Sequence, residues 1–449
     1  MIADDLSGAC DSGAEFLGIY NSVFVTLDWP TDTSHRDPAH LTIVDTESRD
    51  VSPPDAALAV EEAIHRLCRP HPHALEDFVT ETGSAGNPKA FSPFSVRVLL
   101  KKVDSAFRGN YVAELESAIR SFAPRLVVVA PAIPRHGRRM VDGVQLLHDR
   151  PIAESFYRGD PRQPVRNSDI LLRLSRGLSH PLRHLSLRAL RAETVSRQEL
   201  LSPQPGARPC TIVVVDGETN EDLDRAVRLF LPGAPDSLLH ASERVLFVGG
   251  QGIARALADH RSFAGTERLD GEGPTPPNRS GNPVRRSSSR RGTLFVCGSL
   301  HPASRRQLEL LSAETSAPIR MVSPDPSDHD ELVEALRQDL RCHGAGILTT
   351  PETPGEAPEP LDDALTEVCR GLLRERAIVA VFLTGGNTAV SVCRALGVSR
   401  IQLQCVLGPG TVLTHEPLAS PKEGKLELCI KGGSLGDPDT MLRYLHGRE

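Results

Sequence analysis

Short, strongly apolar runs alternate with helical sequence along most of this chain, and the runs end at acids, small residues, glycines or lysines. The runs lie at 23–27, 41–45, 95–100, 126–130, 211–216, 245–248, 293–297, 378–383 and 426–430. Helical spacing of apolar residues is clearest at 54–69 and 112–122. Strands alternating with helices predict α/β architecture with mainly parallel sheets. In such sheets ligands collect beyond the carboxyl ends of the strands, so the residues that end each run carry the functional information.

A chain of 449 residues is too long for one ordinary core. A Gly/Pro/Ser/Arg-rich stretch without periodicity, 262–292, marks a linker, which predicts α/β domains at 1–261 and 293–449. Loop-like segments are expected at 71–93 and at 351–360, and an irregular, polar stretch beyond Pro134 with Arg138, Asp142, Gly143, Asp160 and Pro161. The net charge of −7 argues against a nucleic-acid binder. The arginines Arg285, Arg286, Arg290 and Arg291 sit in the serine-rich linker without aromatics and read as a solvated run. No apolar run reaches the ~18 residues of a membrane span, and the acidic N-terminus does not resemble a signal peptide. Nine cysteines without a C-x-x-C pair predict reduced thiols in a cytoplasmic protein, and no direct metal motif occurs.

Two sets of strand ends carry chemistry. In the C-terminal half, Gly298-Ser299, Gly385-Gly386-Asn387-Thr388 and Lys431-Gly432-Gly433 each follow an apolar run. Glycine lets backbone N–H groups approach an anion, and a following helix N-terminus adds partial positive charge. One such turn is often only a tight connection; three in one domain point to a nucleoside triphosphate, although no P-loop motif is present. In the N-terminal half the strand ends carry Asp4-Asp5, Ser48-Arg49, Lys102 with Asp104 and Ser105, and Arg108. Cations with hydroxyls suit a small polyol acid, and a carboxylate can take the proton of an attacking hydroxyl. Taken singly, each acid reads as a cap or a surface pair. Taken together, the two sets read as a small-molecule kinase with a substrate/ATP cleft between its domains.

The motifs Ala3-Asp4-Asp5-Leu6-Ser7-Gly8, Asp45-Thr46-Glu47-Ser48-Arg49 and Lys102-Val103-Asp104-Ser105…Arg108-Gly109-Asn110 resemble the signatures of the four-carbon acid sugar kinases. Pro131-Ala132-Ile133-Pro134 with Gly137-Arg138 and Asp142-Gly143 is similar to that family's middle motif, and the three glycine turns resemble its nucleotide-binding motifs. The resemblance implies ATP-dependent, Mg²⁺-assisted phosphorylation of the terminal hydroxyl of threonate, erythronate or 3-oxo-tetronate. It implies that Asp4, Ser48, Arg49, Lys102, Ser105 and Arg108 hold the acid, with Asp5 or Asp104 as base. Gly298, Ser299, Gly385, Gly386, Asn387, Thr388, Lys431, Gly432 and Gly433 would hold ATP. Ala106-Phe107 stands where Thr-Leu is usual, and only Met1-Ile2 represents the apolar strand expected before the paired aspartates. A homo-oligomer is compatible with the sequence. Two rival readings are a catalytically impaired sugar-acid binder and a dehydrogenase using Gly250 and Gly252. The second lacks the third glycine of the dinucleotide fingerprint, since Arg255 stands there.

Overall fold

The computed structural model describes residues 1–28, 39–68, 96–160, 162–202, 210–231, 244–260, 292–351, 358–373, 378–415 and 426–447. The segment expected at 71–93, the linker arginines and residues 352–357 of the Pro/Glu loop lie outside the described residues. The chain divides into two compact units, Met1–Asp4 with Thr46–Arg268 and Asp5–Asp45 with Leu269–Glu449. Residues 5–45 thus cluster with the C-terminal half, and the first division falls between the adjacent acids Asp4 and Asp5. Among the described residues no helix is long and apolar enough to cross a membrane.

The first unit is built on parallel strands in the order Ile2–Ala3, Val98–Lys102, Val245–Gly249, Leu126–Ala130, Thr211–Val215 and Leu182–Leu185. Leu126–Ala130 and Val245–Gly249 are buried along their whole length, as expected for parallel strands covered on both faces. The N-terminal strand is only two residues long, with Ile2 opposite Lys101 and Ala3 opposite Lys102. Gly249 and Gly252 serve packing: a Cβ on Gly249 would stand 2.3 Å from the Ala130 carbonyl oxygen, and one on Gly252 would stand 2.2 Å from that of Ala132. The first contact is between neighbouring strands and the second brings the Gln251–Asp259 helix against the segment that follows Leu126–Ala130.

The polar stretch after Pro134 is not irregular. Arg138–Val141, Val144–Leu147 and Arg150–Pro151 form a three-stranded antiparallel sheet. Its first turn is Asp142-Gly143, with φ of +48° and +78°, the combination that a two-residue hairpin requires. The buried Asp216 carboxylate fixes that turn, accepting the N–H groups of Asp142 at 2.8 Å and Gly143 at 3.1 Å. The Asp-Gly pair was the available sequence signal.

The second unit has a mixed sheet in the order Ile319–Met321, Ala345–Thr349, Gly292–Cys297, Ile378–Thr384, Glu427–Lys431, Thr411–His415, Arg400–Gly408, Ser22–Thr26 and His40–Asp45. The first five strands are parallel; Thr411–His415 and Arg400–Gly408 form an antiparallel hairpin that departs from simple α/β alternation. Phe295, Phe382 and Tyr444 meet in the core, with ring centroids 4.9 to 6.1 Å apart. From Gly292–Cys297 the chain leaves toward one edge, and from Ile378–Thr384 it leaves toward the other. Right-handed crossovers send the two following helices to opposite faces, which makes this strand pair the switch point of the sheet.

Gly252→Ala should destabilise the protein by roughly 1–3 kcal/mol, because the added methyl meets a backbone carbonyl that cannot swing away. A urea unfolding midpoint unchanged from wild type would show that the helix moves freely and that the close approach is not required.

Candidate functional site

In the first unit, the predicted residues gather at the carboxyl ends of the Ile2–Ala3 and Val98–Lys102 strands. Asp4 accepts a hydrogen bond from Arg49 Nε at 2.9 Å and another from Lys102 Nζ at 3.2 Å. Asp104 Oδ1 accepts from the backbone N–H groups of Ala106 and Arg108 and from Arg108 Nε, at 2.9, 3.2 and 2.9 Å. Its Oδ2 takes Arg108 Nη2 at 2.7 Å and lies 3.7 Å from Arg49 Nη1. Arg108 reaches onward to Asp160 at 2.7 Å. Burial works against charge on Asp104, but the Arg108, Arg49 and Lys102 cations and the Arg108 hydrogen bond outweigh it. They hold the carboxyl well below the usual carboxylate range. The partnership likewise raises the Arg108 pKa, against the pull of burial.

The loop carrying Arg49 is set by Gly109 and Asn110. Gly109 has φ of +80°, and a Cβ there would come within 2.9 Å of the Arg49 carbonyl oxygen. The Asn110 amide donates to the carbonyls of Ser48 at 2.9 Å and Val51 at 2.7 Å. Ser48 itself is fully buried and donates to Glu114, which also pairs with the buried Lys101 at 3.0 Å. Its hydroxyl therefore belongs to the scaffold in this geometry. Ser105 is partly exposed, and its carbonyl receives Gln145 Nε2 at 2.7 Å.

Asp5 belongs to the second unit. It caps the Leu6–Gly13 helix, accepting from Gly8 N at 3.1 Å, while Ser7 Oγ donates to Oδ2 at 2.6 Å. The same Oδ2 lies 2.5 Å from where a Cβ on Gly386 would stand, at the start of the Gly386–Ala395 helix. The three glycine turns meet at this edge because their strands end in register, Cys297 opposite Thr384 and Thr384 opposite Lys431. A Cβ on Gly298 would stand 2.0 Å from Thr388 Oγ1, and one on Gly433 would stand 2.3 Å from Ser299 Oγ. Gly385 adopts φ of +105°, which side chains rarely tolerate. Asn387 is exposed on the first turn of the helix, and Thr388 is buried beneath it.

Lys431, expected to hold ATP, lies beneath the last glycine turn. It is fully buried, and its Nζ donates to the carbonyls of Gly432 at 2.8 Å and Leu435 at 3.0 Å and contacts Ser304 Oγ at 3.3 Å. Burial lowers its pKa to about 8. Lys431 thus shapes the last glycine turn from beneath. Ser304 Oγ and Gln307 Nε2 assist, bonding the carbonyls of Gly433 and Asp437 at 2.6 and 2.9 Å. Sequence reasoning missed these two, which sit on the Pro302–Thr315 helix far from the turn in sequence.

Family models divide the chain between residues 257 and 294, so residues 5–45 fall within the first model although they cluster with the second unit. Residues 1–257 match a sugar-binding N-terminal domain family, and residues 294–441 match a nucleotide-binding C-terminal domain family. The chain is 26% identical to a D-threonate kinase of Salmonella typhimurium, covering 99% of this chain and 97% of that one. It is 24% identical to a D-erythronate kinase of Heliobacterium modesticaldum, covering 99% of this chain and 96% of that one. A crystal structure described as a putative tRNA synthase from Salmonella typhimurium shares the fold, with a TM-score of 0.70 at 18% identity over 100% of this chain and 98% of that one. The first family model spans more than half of the sequence, the second covers most of the remainder, and the full-length relatives carry kinase names: the chain belongs to the four-carbon acid sugar kinase family.

Proposed function

We propose that this protein is an ATP-dependent kinase that phosphorylates the terminal hydroxyl of a four-carbon sugar acid of the threonate, erythronate or 3-oxo-tetronate class, acting in the cytoplasm. The observation that carries the reading is the meeting of three glycine turns at the switch point of the second unit, with the Asp5 carboxylate against Gly386. A Cβ on Gly298, Gly386 or Gly433 would collide with Thr388, Asp5 or Ser299, so the turns pass these polar side chains as bare backbone, the kind of surface a phosphate chain requires. The N-terminus of the Gly386–Ala395 helix would supply donors and partial positive charge to the phosphates of ATP. Asp5 offers a hard oxygen ligand of the kind Mg²⁺ uses beside phosphate oxygens. When bound, Mg²⁺ would neutralise charge developing on the transferred group.

The acid would be held in the first unit, framed by Arg49, Lys102, Arg108 and Ser105. Asp4 and Asp104 orient those cations. The Arg108 guanidinium donates to both oxygens of Asp104 and helps hold its carboxyl well below the usual range, which makes it a poor proton acceptor; the donors named above for Asp5 are a backbone N–H and a hydroxyl, so we assign Asp104 to positioning and Asp5 to the chemistry. Of the glycines that prompted a dehydrogenase reading, Gly252 is packed against the Ala132 carbonyl and Gly250 against the Ile133 side chain, and this packing accounts for both without a dinucleotide.

ADP release with D-threonate, D-erythronate or a 3-oxo-tetronate should require both ATP and Mg²⁺ and should be absent with threitol, which lacks the carboxylate. No ADP release above background with any of the acids would sink the kinase reading.

The two acids should separate cleanly on substitution. Asp5→Asn keeps a good helix cap, so the thermal midpoint should hold while kcat falls by about 10²–10⁴. Asp104→Asn leaves Arg108 and Arg49 short of a buried counter-ion and should cost about 3–5 kcal/mol of stability. Retention of kcat within threefold in Asp5→Asn would remove Asp5 from the chemistry.

A further inference from the structure

Arg138, at the start of the antiparallel hairpin of the first unit, is 3% exposed and forms no ion pair with an acid among the described residues. Its guanidinium makes one side-chain hydrogen bond, from Nη2 to the Tyr157 hydroxyl at 2.5 Å, and it lies over the same ring at 5.7 Å. Its Nε is buried without an acceptor. An arginine has five N–H donors and cannot shed its proton, so a buried guanidinium with no counter-ion is costly to keep. The contrast with neighbouring cations is direct. Lys101 pairs with Glu114, Lys102 and Arg49 pair with Asp4, and Arg108 pairs with Asp104 and Asp160. Lys431 also forms no ion pair with an acid among the described residues, yet it meets backbone carbonyls and can lose its proton.

Arg138 adjoins the charged cluster through Tyr157, because Arg108 lies over the same ring at 4.9 Å. The hairpin also brings Gln145 to the face that Arg138 occupies: Met140, two residues along from Arg138, stands opposite Gln145 in the ladder. Gln145 is fully buried. Its Nε2 is fixed by donation to the Ser105 carbonyl, which leaves Oε1 buried without a donor. One buried face thus holds idle donors of a planar cation and an idle amide oxygen. A carboxylate satisfies the first bidentately, and a hydroxyl satisfies the second.

We propose that Arg138 is the receptor for the substrate carboxylate and that Gln145 Oε1 accepts a hydroxyl of the same molecule. This assignment rests on the sugar-acid reading above and adds a specificity determinant to it: the already paired Arg49, Lys102 and Arg108 frame the polyol, while Arg138 selects for the acid.

Binding to the full chain without nucleotide tests it, by calorimetric titration of wild type, Arg138→Met, Arg138→Lys and Tyr157→Phe with D-threonate, D-erythronate and L-malate. Wild type should bind a sugar acid; Arg138→Met should weaken it 100-fold or more, Arg138→Lys tenfold or more, and Tyr157→Phe several-fold. Ligand-free Arg138→Met should melt at or above the wild-type midpoint, because it removes a charge that lacks a counter-ion. Wild-type affinity retained within threefold in Arg138→Met overturns the assignment, as does a midpoint well below wild type in both Arg138 variants. Should Arg138→Met fail to fold, undiminished binding by Arg138→Lys and Tyr157→Phe overturns it equally. Arg138-dependent binding of malate with no binding of either sugar acid sinks the sugar-acid reading and leaves the carboxylate receptor standing. No binding of any carboxylate by wild type overturns both.

Discussion

Charge alternation along Lys102, Asp4, Arg49, Asp104, Arg108 and Asp160 is the interaction on which the first unit's site depends. Asp4 and Asp104 each lie between cations and are withdrawn from water, and Asp160 ends the series at Arg108. Removing one member leaves its neighbours with unbalanced buried charge, so the chain of pairs behaves as one unit. The same pairing that makes these groups stable makes them poor reagents. A carboxylate that already accepts several donors has little tendency to take a proton. Stability and chemistry are therefore divided among residues that look alike in sequence.

The second unit solves a different problem with different means. Its edge is built on glycine turns, and side chains buried beneath them, Lys431, Ser304 and Gln307, hold the carbonyls of the last turn. Satisfying those carbonyls from below fixes the turn. Glycine is required where neighbouring side chains occupy the space of a Cβ, as Thr388 does at Gly298 and Ser299 at Gly433. Asp5 is the acid that belongs to this edge, set against the Gly386–Ala395 helix.

Much of the architecture was legible in the sequence because parallel strands declare themselves locally. Leu126–Ala130 and Ile378–Thr384 are continuous apolar runs, and the helices at Pro53–Cys68 and Tyr111–Phe122 show their period. The hairpin at Arg138–Leu147 was read as irregular because its inward positions are Arg138 and Gln145, polar residues that break the usual alternation. Its Asp-Gly turn was the surviving signal. The glycine turns and the acidic strand ends could be named as candidates, yet their sharing of roles could not.

By itself, the sequence determined the α/β alternation, the strand ends that carry chemistry and the family motifs, since these depend on residues close together along the chain. Only the tertiary structure decided that Asp4 and Asp5, joined by one peptide bond, belong to different compact units. It also decided that Ser48 and Lys431 are buried, bonded to Glu114 and to the carbonyls of the last turn, and that Arg138 is buried without an acidic partner among the described residues. The reason is physical. A side chain's charge partners and solvent exposure are set by groups tens or hundreds of residues away, as between Lys102 and Asp4 or Lys431 and Ser304, and no local pattern encodes them.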